Sequence, residues 1–471
     1  MAAYPRDMIG YGETPPHAHW PGEARIAVQF VVNYEEGGEN NILHGDAASE
    51  AFLSEIVGAQ PWPGQRHMNM ESIYEYGSRA GFWRLLRMFR DRAMPVTVFG
   101  VATALARNPE AVAAMKAAGW EMASHGLKWI DYKDATLEKE RADIAEAIRL
   151  HTEIVGERPL GFYQGRTSEN SIPLTIEEGG FLYSADVYAD ELPYWHDDGK
   201  RQQLLVPYTL DANDMRFATP QGFNSGEQFF AYLKDSFDTL YAEGDDRPKM
   251  MSVGLHCRLV GRPGRAAALA RFLDHVRKHD RVWVATRLDI ARHWIRTHPP
   301  RGGYVPSRMG HALFVDVFGD IYEHTPQIAA GAHAKGLGPE CDTASGLHEA
   351  MAVVARAMPK DEKLALIRAH PDLAGRLALA KELTADSTRE QGGAGLDRLT
   401  PDELERFTQL NDSYKAKFGF PFIMAVKGSS KDDILAAFER RIGHGQNEEF
   451  AEALTQIEKI ALLRLRDRLP A

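Results

Sequence analysis

Residues 25–37 read Arg25-Ile26-Ala27-Val28-Gln29-Phe30-Val31-Val32-Asn33-Tyr34-Glu35-Glu36-Gly37, a short apolar run that ends in two adjacent acids. Ile26–Val32 is nearly continuous in apolar side chains, the pattern of a strand covered on both faces. Runs of the same kind recur at Pro95–Gly100, Trp120–Ser124, Leu160–Tyr163, Phe181–Val187, Met250–Leu255 and Arg281–Ala285, with helical patterns near them. Repeated β-α units predict a parallel sheet or (β/α) barrel from Arg25 to about Thr297. Polar residues fall where the runs stop: Glu35 and Glu36, His125, Gln164, Asp186 and His256. The C-terminal ends of parallel strands are where α/β barrels build active sites. One such residue is an ordinary turn residue; gathered at successive strand ends, they predict a functional cleft.

The chain has 471 residues, with 55 Lys+Arg against 66 Asp+Glu and a formal net charge of −11. At roughly 150 residues per domain this suggests two or three domains. The acidic balance argues against nucleic acid or an anionic membrane as partner. The cysteines, Cys257 and Cys341, lie far apart, which excludes a disulfide framework and points to a reducing compartment. The proline-rich start carries acids early, unlike a signal peptide, and the longest low-polarity run, Val96–Ala106, is far short of the ~20 residues of a membrane span. A cytoplasmic enzyme is expected.

The character changes near residue 300. His298–Pro306 is rich in Pro and Gly and reads as a linker, giving an expected barrel domain over 1–300, a linker at 301–306 and a second domain over 307–471. Beyond it the strand signal vanishes and helical patterns dominate, at about 312–323, 345–357, 361–369, 401–416, 431–441 and 447–468. Thr400-Pro401-Asp402-Glu403 is a helix start with Thr as N-cap, Pro at the first position and Glu three residues after the cap. This second domain is expected to be all-α.

The elements of the first domain resemble the polysaccharide deacetylase family. Phe30–Gly37 occupies the place of its Thr-Phe-Asp-Asp-Gly element, Ser124-His125-Gly126-Leu127-Lys128-Trp129 that of its His-x-x-x-His pair, and Leu255-His256 that of its later Leu-His. In the family the first acid is a general base, the second binds a divalent metal together with the histidine pair, and the later His is a general acid. Here Glu35 and Glu36 replace Asp, and Trp129, which cannot ligate, stands at the second His position. That pattern is similar to the metal-independent allantoinase branch, which opens a hydantoin ring. The resemblance implies Glu35 or Glu36 as base, His125 and His256 as polarising or proton-delivering groups, Trp129 as a wall for a flat ring, and Arg166 on a polar edge of the ureide. Tyr163, Gln164 and Trp195 are weaker candidates. The plainer alternative makes Glu35 and Glu36 solvated turn acids and His125 a core histidine.

In the second domain, the helical pattern through Ala369 meets His370-Pro371-Asp372-Leu373-Ala374-Gly375, so His370 is expected at a helix junction. Ser387-Thr388-Arg389-Glu390-Gln391 precedes a glycine-rich loop, and Phe418–Val426 is apolar. In the last helix Arg464 falls on the stripe of Phe450, Leu454, Ile457 and Ala461, where it requires either a structural carboxylate or an anionic substrate. These elements, with Glu323-His324-Thr325-Pro326, resemble the 2-oxo-4-hydroxy-4-carboxy-5-ureidoimidazoline (OHCU) decarboxylase family over about 306–469. The segment Ala332-His333-Ala334 departs from that family's aromatic-rich pattern.

That resemblance implies a cofactor-free decarboxylation in which the substrate's own ring C=N is the electron sink. His370 would handle the proton, Glu390 orient that chemistry and Arg464 hold an anionic or carbonyl edge. Pro371, Ser387, Gln391 and the backbone of Phe422, Ile423, Met424, Ala425 and Val426 would grip the ureido and ring amides. OHCU decarboxylase makes (S)-allantoin and allantoinase hydrolyses allantoin to allantoate, so the two resemblances imply one chain with consecutive reactions. Small-molecule ureides are the expected partners, and the chain is expected to assemble as a homo-oligomer. The competing readings are a metal-dependent carbohydrate de-N-acetylase barrel and a catalytically silent barrel scaffold.

Overall fold

The computed structural model describes residues Tyr4, 6–373, Leu396 and 399–470. The chain forms two compact units, Met1–Pro299 and Pro300–Ala471. In the first, β1 (Ile26–Tyr34) is buried along its whole length, as its apolar run requires. It pairs in parallel with β8 (Lys249–His256) along one edge. The other edge is shared, by β2 (Thr97–Gly100) over Val31–Tyr34 and by β9 (Val282–Val284) over Ile26–Val28. From β2 the sheet continues through β3 (Glu121–Ser124), β4 (Gly161–Phe162), β5 (Tyr183–Ser184) and β7 (Gln202–Leu205), all parallel. An antiparallel strand β6 (Tyr194–Asp197) completes a nine-stranded curled sheet. The β6–β7 hairpin is absent from the sequence reading. Its turn, Asp198-Gly199, has Gly199 at φ 81°, a conformation that glycine adopts without strain.

Helices pack on the convex side of this sheet: α1 (Met68–Tyr76), α2 (Phe82–Arg90), α3 (Ala102–Arg107), α4 (Pro109–Ala117), α5 (Leu137–Val155), α6 (Ser171–Glu178), α7 (Gly226–Glu243), α8 (Pro263–Val276) and α9 (Arg287–Thr297). Alternation decides which side chains meet them. Ile26, Val28, Phe30, Val32 and Tyr34 of β1, with Met251, Val253 and Leu255 of β8, share one apolar cluster with helix residues such as Phe89 and Phe272. The opposite set faces the hollow: Gln29 Oε1 accepts from Arg287 at 2.5 Å, and Asn33 donates to the Tyr208 hydroxyl at 2.9 Å.

The second unit is helical among its described residues: α10 (His311–Phe318), α11 (Pro326–Ala334), α12 (Ala344–Ala357), α13 (Lys360–Ala369), α14 (Pro401–Phe418), α15 (Lys431–Arg441) and α16 (Gln446–Arg466). Thr400 caps α14 with the reciprocal Glu403 bond that its sequence predicts. Two helical readings need correction. The pattern expected over 312–323 ends at Phe318, because Gly319 closes α10 and the backbone then bends toward Thr325. A separate α11, opened by Pro326, was not read from the sequence; it contains the divergent Ala332-His333-Ala334.

Candidate active sites

Glu35 follows β1 in the parity of Gln29 and Asn33, so the alternation that buries Tyr34 outward turns Glu35 inward. His256 ends β8 in the parity of Ser252 and Gly254, and the register sets Asn33 opposite His256. His125 follows β3, its backbone N–H donating to the Gly100 carbonyl at the end of β2. The three side chains converge: His125 Nε2 lies 3.3 Å and His256 Nε2 3.4 Å from Glu35 Oε1. All three are buried.

Two residues that the sequence reading missed complete this centre. Asp214 accepts from His256 Nδ1 at 2.6 Å, and its second oxygen takes the backbone N–H groups of His256 (2.8 Å) and Val260 (2.9 Å). Arg258 is fully buried and donates from Nη2 to Glu35 Oε2 at 2.6 Å, from its backbone N–H to Glu36 Oε1 at 3.2 Å and from Nε to the Leu53 carbonyl at 2.8 Å. Arg258 had a signal: a lone charge within Leu255–Val260, an otherwise apolar stretch around His256, must be paired if buried. Asp214 had none, since Asn213-Asp214-Met215-Arg216 reads as an ordinary polar turn.

Charge is distributed unequally over this cluster. Burial opposes ionisation of Glu35, but Arg258 and His256 outweigh it and hold the carboxyl well below its ordinary range. Burial dominates for Glu36 and raises it despite Arg258. Burial works against an imidazolium at His256, yet the Glu35 and Asp214 carboxylates prevail and push it up to about 9. At neutral pH the centre therefore holds an ionised Glu35 against a protonated His256. His125 Nε2–H serves Glu35, and its buried Nδ1 has no hydrogen-bond partner among the described residues.

Trp129 and Arg166 lie side by side next to this centre. Residues 125–132 form a non-helical stretch, with the Trp129 N–H held by the Gly38 carbonyl at 2.8 Å. The buried indole stacks on Phe52 (centroids 5.9 Å apart) and flanks the Arg258 guanidinium at 5.2 Å. It packs beside the arginine that pairs with Glu35. Arg166 lies over Phe52 and Trp129, donates to the Trp129 carbonyl at 3.5 Å and lines an outer cleft with Asn40, Ser49 and Asp131. The arginine at Glu35 is Arg258. Gln164 is buried with its Nε2 unpartnered among the described residues, and its N–H bonds Asp186, whose carboxyl burial lifts to about 7. Tyr163 stacks on Phe99 within the hollow, 5.1 Å from the His125 ring. Trp195 lies on the edge hairpin, bonded to the His298 carbonyl at 2.7 Å.

The family's metal does not fit these donors. Position 129 offers an indole, and the Arg258 guanidinium pairs with both acids, Glu35 at 2.6 Å and Glu36, at the metal-binding position, at 3.5 Å. Arg258 supplies a fixed positive charge there instead.

In the second unit His370 closes α13 in an extended conformation (φ −76°, ψ 139°), as the proline after it demands. Lys415 of α14 binds Asp372 at 2.7 Å and Asn411 binds the Leu373 carbonyl at 2.8 Å, which moors the motif. His370 Nδ1–H donates to the Leu366 carbonyl at 3.0 Å, leaving Nε2 with the lone pair. Burial lowers this imidazole to about 4, with Glu323 opposing and Arg464 and His324 reinforcing the shift, so it is neutral at neutral pH.

Arg464 projects from α16 as the stripe requires, and its Nη1 pairs with Glu323 at 2.8 Å. Next to Glu323, His324 adopts φ 49°, a left-handed backbone that costs a non-glycine residue energy and tends to mark functional sites. The Phe422 ring belongs to the core, stacked 3.7 Å from Phe438. Of the backbone groups expected to grip substrate, the Ile423 carbonyl accepts from Arg441 at 2.6 Å and the Ala425 N–H donates to Gln456 at 3.0 Å. Those two are engaged within the protein, as is the Val426 carbonyl, which accepts from the Ser429 N–H at 2.9 Å; Met424 lies beside them. Pro371 follows His370 directly. Ser387, Glu390 and Gln391, with Ala374 and Gly375, lie outside the described residues.

Comparison with known proteins covers both units. The family described as OHCU decarboxylase matches residues 307–466, and polysaccharide deacetylase matches residues 69–175. A putative polysaccharide deacetylase of Schizosaccharomyces pombe is 40% identical over 314 residues, 62% of this chain and 98% of the relative. An OHCU decarboxylase of Halalkalicoccus jeotgali is 45% identical over 154 residues, 33% of this chain and 84% of the relative. The crystal structure of Puue allantoinase is similar at 60% identity and a TM-score of 0.62, covering 63% of this chain and 98% of that one.

Proposed function

The chain belongs to two families, the polysaccharide deacetylases through its first unit and the OHCU decarboxylases through its second, and from that premise we propose two consecutive reactions on ureides. The second unit decarboxylates OHCU to (S)-allantoin, and the first hydrolyses allantoin to allantoate. The observation that carries the hydrolase reading is the Arg258–Glu35 ion pair beside two histidines, where deacetylases place a metal.

In the hydrolysis, a water oxygen bonds to the ring carbonyl carbon while Glu35 accepts the water proton. His256, oriented by Asp214 and protonated, donates its Nε2 proton to the departing ring nitrogen as the C–N bond breaks. Glu35 is a weak base while two cations face it. As His256 gives up its proton, one of those charges disappears and Glu35 gains proton affinity, so the two transfers assist each other. Arg258 remains as the positive charge nearest the developing oxyanion. His125 Nδ1, the lone-pair nitrogen when Nε2–H serves Glu35, accepts an N–H, which a ureide supplies. Glu36 accepts from the Arg258 backbone N–H, which supports Glu35 as the base of the pair.

In the decarboxylation the bond to the carboxylate breaks and its electron pair enters the adjacent ring C=N. CO₂ leaves, the ring nitrogen that receives the electron pair takes a proton from solvent, and the neutral Nε2 of His370 takes the hydroxyl proton and returns one to the carbon. Arg464, paired with Glu323, would hold an anionic or carbonyl edge of the substrate. Glu390 would orient this exchange.

The test follows allantoate formed from allantoin by the full chain and by its Glu35→Gln and His256→Asn variants. Each folded variant is expected to lose about 10²–10⁴-fold in rate. Activity within a few-fold of the parent in either would overturn the assignment.

A further inference from the structure

At the end of the first unit opposite the catalytic centre, α7 and α8 bring three metal-ligating side chains together. α8 follows β8 and leads into β9, and α7 leads into β8, so the last turns of both helices lie beside the N-terminal ends of the parallel strands. His275 and His279 are four residues apart. The chain keeps turning beyond Val276, with the His279 N–H donating to the Val276 carbonyl at 3.2 Å, so both imidazoles stay on one face, 4.6 Å apart. Asp238 of α7 meets them: His275 Nε2 lies 2.6 Å from its Oδ1. The donor atoms of all three residues lie within 4.8 Å of one another.

An ion pair alone accounts for His275 with Asp238. It does not account for His279. That ring spends Nδ1–H on the His275 carbonyl at 3.0 Å, which leaves Nε2 as the lone-pair nitrogen. Ligating histidines fix their free nitrogen in this way. The other carboxylate oxygen of Asp238 is held by Lys234 at 2.5 Å, which leaves Oδ1 for the shared point. Phe237, 5.6 and 5.0 Å from the two imidazoles, and Tyr241, 5.0 Å from His279, wall the group with apolar surface.

We propose that Asp238, His275 and His279 form a zinc site that ties α7 to α8, the fourth tetrahedral position being left to water. Two imidazoles and one carboxylate suit Zn²⁺. The cation replaces the proton shared by His275 and Asp238 and recruits His279. Its role is to stabilise the helix pair, separately from the reaction at Glu35.

Tag-free full chain, stripped with a chelator and dialysed, is titrated with Zn²⁺ by calorimetry and with Co²⁺ by visible absorption, with Tm followed in parallel. The wild type is expected to take up Zn²⁺ at micromolar concentration, to gain Tm and to give tetrahedral Co²⁺ bands. His279→Ala leaves the His275–Asp238 pair in place and is expected to lose more than about 10-fold in affinity, together with the bands and the Tm gain. The Tm of the stripped variant shows that it is folded. If the wild type takes up no Zn²⁺, or His279→Ala binds as the wild type does, the proposal is overturned.

Discussion

Asp214 sets the charge of His256 by accepting its Nδ1–H and by adding a buried negative charge. The imidazolium is the proton donor, so activity is present below the His256 pKa and falls as pH rises through about 9. Asp214→Asn keeps the shape and removes the charge. The basic limb of kcat/KM against pH is then expected to move to lower pH, toward the ordinary histidine range; an unmoved limb would assign that limb to another group. Arg258→Met tests the other charge. It strands the Glu35 and Glu36 carboxylates in the interior, and removing one partner of a buried pair costs about 3–5 kcal/mol. A large fall in Tm is expected along with lost allantoin hydrolysis, whereas a small change in Tm would mean that water reaches these acids. In the second unit, His370→Asn keeps a hydrogen-bonding side chain but cannot exchange a proton near neutral pH. OHCU decarboxylation is expected to fall about 10²–10⁴-fold, with allantoin hydrolysis intact. A folded variant with near-normal decarboxylase activity would make His370 structural.

Among the elements, β1 and β8 were legible because their alternation is written in apolar residues, and it is this alternation that turns Glu35 and His256 into the hollow. The β6–β7 hairpin was not, because Trp195-His196-Asp197-Asp198-Gly199-Lys200 is polar and its one cue is the Asp-Gly turn. The bend after α10 was illegible for a related reason: Gly319 breaks a pattern whose apolar residues continue to Tyr322, and the bend leads to Glu323 and its contact with Arg464. Family likeness located the acids and histidines, but not Asp214, which lies between strands and carries no pattern. Gly77, at the junction of α1 and α2, allows the chain to pass close to Glu36: a Cβ there would lie 2.3 Å from Glu36 Oε1. Gly77→Ala is expected to displace Glu36 from the Arg258 backbone and to lower hydrolysis with the fold retained. Unchanged kinetics would show that the position of Glu36 is unimportant.

At the scale of the whole molecule, the Pro/Gly-rich stretch 298–306 spans the division between the two compact units. Cleavage there is expected to leave two pieces that unfold cooperatively, each with its own activity. Chelation is expected to leave allantoin hydrolysis unchanged, because Arg258 holds the charge at Glu35. Loss on chelation with recovery on adding Zn²⁺ or Mn²⁺ would contradict that view. On the proposed function, one chain carries two successive ureide reactions at separate centres. The most direct measurement follows the products when freshly made OHCU is given to the full chain and to its His256→Asn variant. Allantoate is expected from the parent and (S)-allantoin is expected to accumulate with the variant; accumulation of (S)-allantoin with the parent as well would contradict the two-reaction proposal.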